Sequence, residues 1–179
     1  MSHLRIPIGP DDHVRGPMSA PLTLVEYGDY QCPFCAAAYP ELEAVRNALG
    51  DELRFVFRHF PLGEFHPRAM QAAEAAEAAG AQRRFWAMHD MLYGNHDALD
   101  AASLLSYADA IDLDIDRFAL DLQEHRHVAK IRADFMGGVR SGVNGTPNVF
   151  VNGLQYHGPV TAPALLEALR GPMSAEVIY

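Results

Sequence analysis

The chain has two cysteines, and both stand in one run, Cys32-Pro33-Phe34-Cys35. A thiol pair two residues apart can attack and resolve disulfides, or supply half the ligands of a metal site. Position separates the two thiols. Proline is favoured at the first residue of a helix, so Pro33 at that place makes Cys32 the N-cap. The free N–H groups of Phe34 and Cys35 then point at the Cys32 sulfur, and the helix dipole adds partial positive charge there. Both effects favour thiolate over thiol, so the pKa of Cys32 is expected below the ~8.5 of a free cysteine. Cys35 lies one turn further in and more buried. Cys32 is therefore the candidate attacking thiol and Cys35 the candidate resolving thiol. The alternatives are two cysteines buried by chance, or a metal or cluster module sharing the pair across a dimer.

Two further places qualify as chemistry. Glu26 shares one strand face with Leu22 and Leu24, six residues before Cys32. The first strand of a βαβ core is covered on both faces, so this carboxylate is expected to be desolvated, with its pKa raised. It is a candidate to pass a proton to or from Cys35; the competing reading is a strand-end carboxylate reaching water. Gly145-Thr146-Pro147 stands just before a hairpin signal. A cis bond there would present the Thr146 backbone to an extended peptide, while an ordinary turn fits the same three residues. Pro33, Phe34, Thr146 and Pro147 are the candidate substrate-binding residues.

The elements that must position these groups follow from periodicity. Leu22–Tyr27 reads as a strand ended by Gly28-Asp29, and Ala38, Leu42, Val45 and Leu49 mark a helix closed by Gly50. Pro40 inside that helix predicts a kink. A second strand spans Leu53–His59, completing a βαβ unit. Residues 66–143 read as almost wholly helical, over 69–81, around Phe85, Trp86 and Leu92, then 101–110, 114–124 and 127–141; this is expected to be an inserted helical subdomain. Asp97, Asp100 and Asp116 are candidate caps or first-turn acids. Asn152-Gly153 between two short apolar runs signals a hairpin. A closing helix, Ala162–Leu169, ends at Gly171-Pro172. Residues 1–20 read as an irregular arm. The predicted class is α/β, βαβ followed by helices and then ββα on a mixed central sheet, in one domain over 1–179.

Composition limits the partners. With 49% hydrophobic and 21% charged residues the chain can bury a core without disulfide staples. Its net charge of −9 opposes nucleic acid or an anionic membrane as main partner. Met1–Pro10 holds one arginine and no continuous apolar stretch, so a cytoplasmic protein is expected, or a periplasmic one if an export leader has been removed. Nine histidines invite a metal reading. Neither H-E-x-x-H nor a matched ligand cluster is seen, His125 and His127 are expected on different sides of a helix, and His59 to end a strand. No metal is predicted. Asp112, Asp114 and Asp116 lack the glycine and distal glutamate of a calcium loop, and Phe85, Trp86 and Leu92 fit core better than a cofactor platform.

On these residues the chain resembles the DsbA-like branch of the thioredoxin superfamily over about residues 20–171. The resemblance lies in Leu24-Val25-Glu26-Tyr27 leading to Cys32-Pro33-Phe34-Cys35, in the long helical insertion, and in Gly145-Thr146-Pro147 before a hairpin. It implies a thioredoxin-like fold and protein thiol–disulfide exchange with no cofactor. Its partners would be proteins bearing disulfides or thiols, and a small thiol or reductase that resets the pair. It also implies a nucleophilic Cys32, proton transfer assisted by Glu26, and substrate contact by Thr146 before a cis Pro147. That family often carries histidine between its cysteines; this chain has Phe34, which offers a thiolate neither charge nor hydrogen bond. A reductase or peroxidase-like enzyme using small thiols is the alternative within the same fold.

Overall fold

The run Leu-Thr-Leu-Val-Glu-Tyr-Gly forms the central strand β2 (Leu22–Gly28), because alternating β-branched, aromatic and aliphatic residues suit a strand covered on both faces. In this computed structural model the described residues are 2–171; Met1 and residues 172–179, with the Pro172 expected after the last helix, lie outside them. Helix α1 (Pro33–Leu49) returns the chain to β3 (Leu53–His59), which runs parallel to β2 with Glu26 opposite Phe57. Strands β4 (Asn148–Val151) and β5 (Leu154–Tyr156) close the sheet antiparallel, β4 against β2 with Glu26 opposite Val149. Asn152 and Gly153 both take positive φ, 49° and 84°, in the tight turn that Asn-Gly favours.

Between β3 and β4 lie five helices: α2 (Ala69–Gly80), α3 (Phe85–Gly94), α4 (Ala101–Ala110), α5 (Ile115–Gln123) and α6 (Val128–Arg140). Helix α7 (Ala162–Arg170) ends the described fold. The two sheet faces bury different cores. Leu24, Phe55, Phe57 and Val149 join residues of α1 to α5 and α7 in the larger one. Val25, Tyr27, Val56 and Phe150 pack with Phe60 and Val143 in the smaller, against which Phe135 of α6 leans. Phe85 and Leu92 are buried in the larger core and Trp86 is partly buried beside them, as core residues rather than a platform.

Two expectations change. The N-terminal arm is not irregular throughout. It contributes strand β1 (His13–Arg15), antiparallel to β3 at the sheet edge, so the strand order is β1-β3-β2-β4-β5. Buried Arg58 fastens the arm through Asp12 at 2.7 and 2.9 Å and through the carbonyls of Ile6 and Pro7, both at 3.0 Å. A three-residue strand leaves almost no periodic signal, and Arg58 binds residues distant in sequence. Helix α1 continues through Pro40, which is exposed; the missing N–H removes one hydrogen bond on the solvent side while the buried face Ala38, Leu42, Val45 and Leu49 stays packed. His125 and His127 do not occupy a helix: His125 has φ 51° in the turn between α5 and α6, and His127 is the N-cap of α6. Among the expected caps, Asp100 accepts from Ser103 N at 3.2 Å and Asp116 lies in the first turn of α5, whose cap is Asp114; Asp97 belongs to neither helix.

Candidate active site

The β2–α1 connection places the cysteine pair. Asp29, 2% exposed, organises that loop from inside. Its Oδ1 accepts from Gln31 N at 2.8 Å, and its Oδ2 accepts from Leu62 N at 2.9 Å and is 2.8 Å from His66 Nδ1. The loop after β3 is thereby tied to the loop before Cys32. Cys32 then caps α1 with extended φ and ψ of −70° and 120°, and Pro33 sits in the first helical turn. Cys32 and Cys35 are both free thiols.

Exposure hardly distinguishes them, at 2% for Cys32 and 0% for Cys35. The expected asymmetry is carried by electrostatics instead. Cys32 is brought down to about 5, first by a hydrogen bond from the Cys35 thiol, which outweighs burial, then by Thr146 and the helix N–H groups of Cys35 and Phe34. Cys35 is pushed well above the usual thiol value by burial, by its bond to Cys32 and by the charges of Glu26 and Cys32. At neutral pH one turn of helix thus holds a thiolate and a thiol.

Thr146 meets Cys32 from the opposite side, and the Thr146–Pro147 peptide is cis. As a thiol, Cys32 Sγ reaches the Thr146 carbonyl at 3.5 Å. Thr146 Oγ1 is buried without a hydrogen-bond partner, and the Thr146 side chain favours the Cys32 thiolate. Phe34 is 72% exposed. With Ala37, Ala38, Thr146, Pro147 and Val160 it lines a groove of about 340 Å³. Pro33, also exposed, is not among the groove's lining residues and acts on α1 instead.

Glu26 is 1% exposed on β2. Burial pushes its carboxyl up to about 8; the Tyr93 hydroxyl opposes that and the Cys32 charge adds to it. Of the seven predicted site residues, Cys32, Cys35, Phe34, Thr146 and Pro147 surround one sulfur–groove region, Glu26 acts on it from beneath, and Pro33 shapes the helix start. Sequence reasoning missed Asp29, which it took only as a strand terminator, and Tyr93, whose place on α3 gives no local sign of its reach to the sheet.

The histidines also gather more than their spacing suggests. His13 Nε2 and His59 Nε2 each lie 2.8 Å from Glu77 Oε1, so β1, β3 and α2 meet on one carboxylate. The three ligating atoms lie within 4.8 Å of one another, a cluster that no local spacing announces.

A thioredoxin family profile matches residues 9–170. A thioredoxin-like oxidoreductase from Silicibacter pomeroyi superposes with a TM-score of 0.79 at 30% identity, covering 90% of this chain and 91% of that one. The chain belongs to the thioredoxin family. Oxidised BdbD from Bacillus subtilis shares its fold at 20% identity with a TM-score of 0.77, over 90% of this chain and 94% of that one. Among curated proteins, one named Na(+)/H(+) antiporter NhaA 1, from Salinispora arenicola, is 50% identical over 169 residues, 93% of this chain. This chain spans only 26% of that protein's length, and the name describes the longer protein. No described helix here is long and apolar enough to cross a membrane.

Proposed function

We propose that the protein exchanges thiols and disulfides with protein substrates through a mixed disulfide on Cys32 that Cys35 resolves. The observation that carries this is geometric: Cys32 caps α1 with Cys35 one turn further in, both as free thiols, and the Thr146 carbonyl before cis Pro147 lies 3.5 Å from Cys32 Sγ. The Cys32 thiolate attacks one sulfur of a substrate disulfide and expels the other as a thiolate. Cys35 then loses its proton to Glu26 and attacks Cys32. The Cys32–Cys35 disulfide forms, the second substrate sulfur leaves, and two electrons have passed from the pair to the substrate. In reverse, the same steps oxidise a substrate dithiol. No cofactor enters either direction, but a small thiol or a reductase must reset the pair.

The groove at Phe34, Thr146, Pro147 and Val160 favours an extended substrate segment with an apolar side chain beside its cysteine. The transport named for the longer relatives concerns proteins of which this chain covers about a quarter. Cys32→Ser is expected to abolish exchange, and Cys35→Ser to accumulate covalent adducts with disulfide substrates, counted by mass after acid quench. If Cys35→Ser gathers no adduct while Cys32→Ser does, the order of attack is reversed.

A further inference from the structure

Besides Thr146 Oγ1, two buried polar atoms near the thiols have no hydrogen-bond partner: Glu26 Oε1 on β2 and Tyr93 Oη on α3. They face each other across Gly28. A Cβ on Gly28 would meet Tyr93 Oη at 2.6 Å, Glu26 Oε1 at 3.1 Å and the Phe57 ring at 2.5 Å. The strand therefore carries glycine at the one point where a side chain would separate hydroxyl from carboxyl. An unpaired hydroxyl and carboxyl both cost stability in the interior, and their meeting here is unexplained by packing alone.

We propose that Tyr93 is a positioning residue for the resolving step, its hydroxyl donating to Glu26 across Gly28 and holding that carboxylate ready to take the Cys35 proton. The inference rests on the exchange reaction proposed above and gives α3 a part in it. Among the described residues, the Tyr93 hydroxyl is the one group that favours the Glu26 anion; burial and the Cys32 thiolate oppose it. The other ionisable groups around the pair are Cys35, Tyr30 and Asp29, whose charges or burial act on Tyr93, and the rings of Tyr39 and His89, which pack against it. None of these is a lysine or arginine.

Timing follows from the same arrangement. While Cys32 is a thiolate its charge discourages a second anion at Glu26. Once Cys32 is bonded to a substrate sulfur that charge is gone, and Glu26 ionises with Tyr93 as its donor. The Cys35 proton passes to the carboxylate, and the Cys35 thiolate attacks Cys32. The Cys32–Cys35 bond forms, the Cys32–substrate bond breaks, and the substrate thiolate leaves with the electron pair. Glu26 then returns the proton to solvent or to the leaving sulfur.

The test is single-turnover decay of the mixed disulfide, formed by mixing reduced protein with a disulfide-bonded peptide and counted by mass after acid quench, over a pH series. Tyr93→Phe is expected to slow decay at pH 7 about tenfold and to shift its profile upward by about one unit, meeting the unaltered protein at high pH. Alkylation of Cys32 should be unchanged, and thermal stability should change little, because in the resting structure the hydroxyl has no hydrogen-bond partner to lose and pairs with Glu26 only when that carboxyl ionises. Glu26→Gln should slow decay and flatten the profile, and Tyr93→Phe in that background should add no further loss. Slowing that is uniform across pH, or equal with and without Glu26, would overturn the inference and leave exchange itself standing. If the unaltered protein forms no mixed disulfide at all, the exchange reading fails first and this inference with it.

Discussion

Replacing Cys35 by alanine should raise the ionisation midpoint of Cys32 more than any other single change around it. The Cys35 thiol is the largest influence holding Cys32 at about 5, ahead of Thr146 and the helix N–H groups. A hydrogen bond to a charged acceptor contributes about 1.5–3 kcal/mol, and one pKa unit corresponds to about 1.4 kcal/mol. Removing the Cys35 donor therefore moves the midpoint up by about 1–2 units, to about 6–7. The N–H groups of Phe34 and Cys35 survive the substitution, so the midpoint should stay below the ~8.5 of a free thiol. Thr146→Val removes a weaker donor while keeping the branched shape, and should shift it by less than about one unit.

The assay is the rate of iodoacetamide alkylation against pH, with the adduct located by mass, alongside the ultraviolet absorbance of the thiolate. Cys35→Ala leaves Cys32 as the single cysteine, which removes ambiguity about the site. A midpoint near that of free cysteine in the unaltered protein would refute the account of the thiolate. So would a larger shift from Thr146→Val than from Cys35→Ala, because it would mean that the groove side, not the helix side, governs the nucleophile.

A thiolate this strongly favoured stabilises the reduced pair, so the potential measured in graded glutathione buffers should fall near about −120 to −180 mV; a value near thioredoxin's ~−270 mV would contradict it. Asp12→Asn leaves the buried Arg58 charge unpaired and should cost about 3–5 kcal/mol in urea unfolding; a loss under about 1 kcal/mol would show that the arm is not fastened there. Glu77 is raised by burial but held far below its ordinary 4.5 by hydrogen bonds from His13 and His59. Its folded value is the lower one, so its contribution is complete above about pH 4.5 and is lost as pH falls below that. Glu77→Gln should therefore cost about 1–3 kcal/mol at neutral pH and flatten the acid limb of the stability curve, an effect that urea midpoints at stepped pH would register or deny.

What the sequence displays and what it hides divides along physical lines. A proline fixing the first turn, an Asn-Gly demanding positive φ, and apolar residues on one helix face are local constraints, so Cys32 as N-cap, the β4–β5 hairpin and most helix bounds are readable from neighbours in the chain. Glu26 is readable too, because a strand covered on both faces buries its consecutive residues whatever surrounds them. The groups that tune these residues are of another kind. Asp29 serves the loop after β3, Arg58 binds Asp12, and Tyr93 approaches Glu26 from a helix on the far side of β3 in sequence. Each depends on a partner brought close only by folding, and leaves no period or motif behind.

That division bears on how this thiol pair is set apart from others with the same four residues. The run Cys-Pro-Phe-Cys fixes which sulfur caps the helix start, but not how far its charge is favoured. The Phe34 side chain contributes neither donor nor charge, so beyond the helix N–H groups stabilisation of the Cys32 thiolate falls to the side chains of Cys35 and Thr146, one within the motif and one from the loop before β4. The proton that resolution must move falls to Glu26, whose ionisation is governed from α3. The two half-reactions thus answer to different parts of the fold. Changes at Thr146 should act on attack, and changes at Tyr93 on resolution. A substitution at either place that altered both steps alike would show that the thiols and the buried carboxyl titrate as one coupled group.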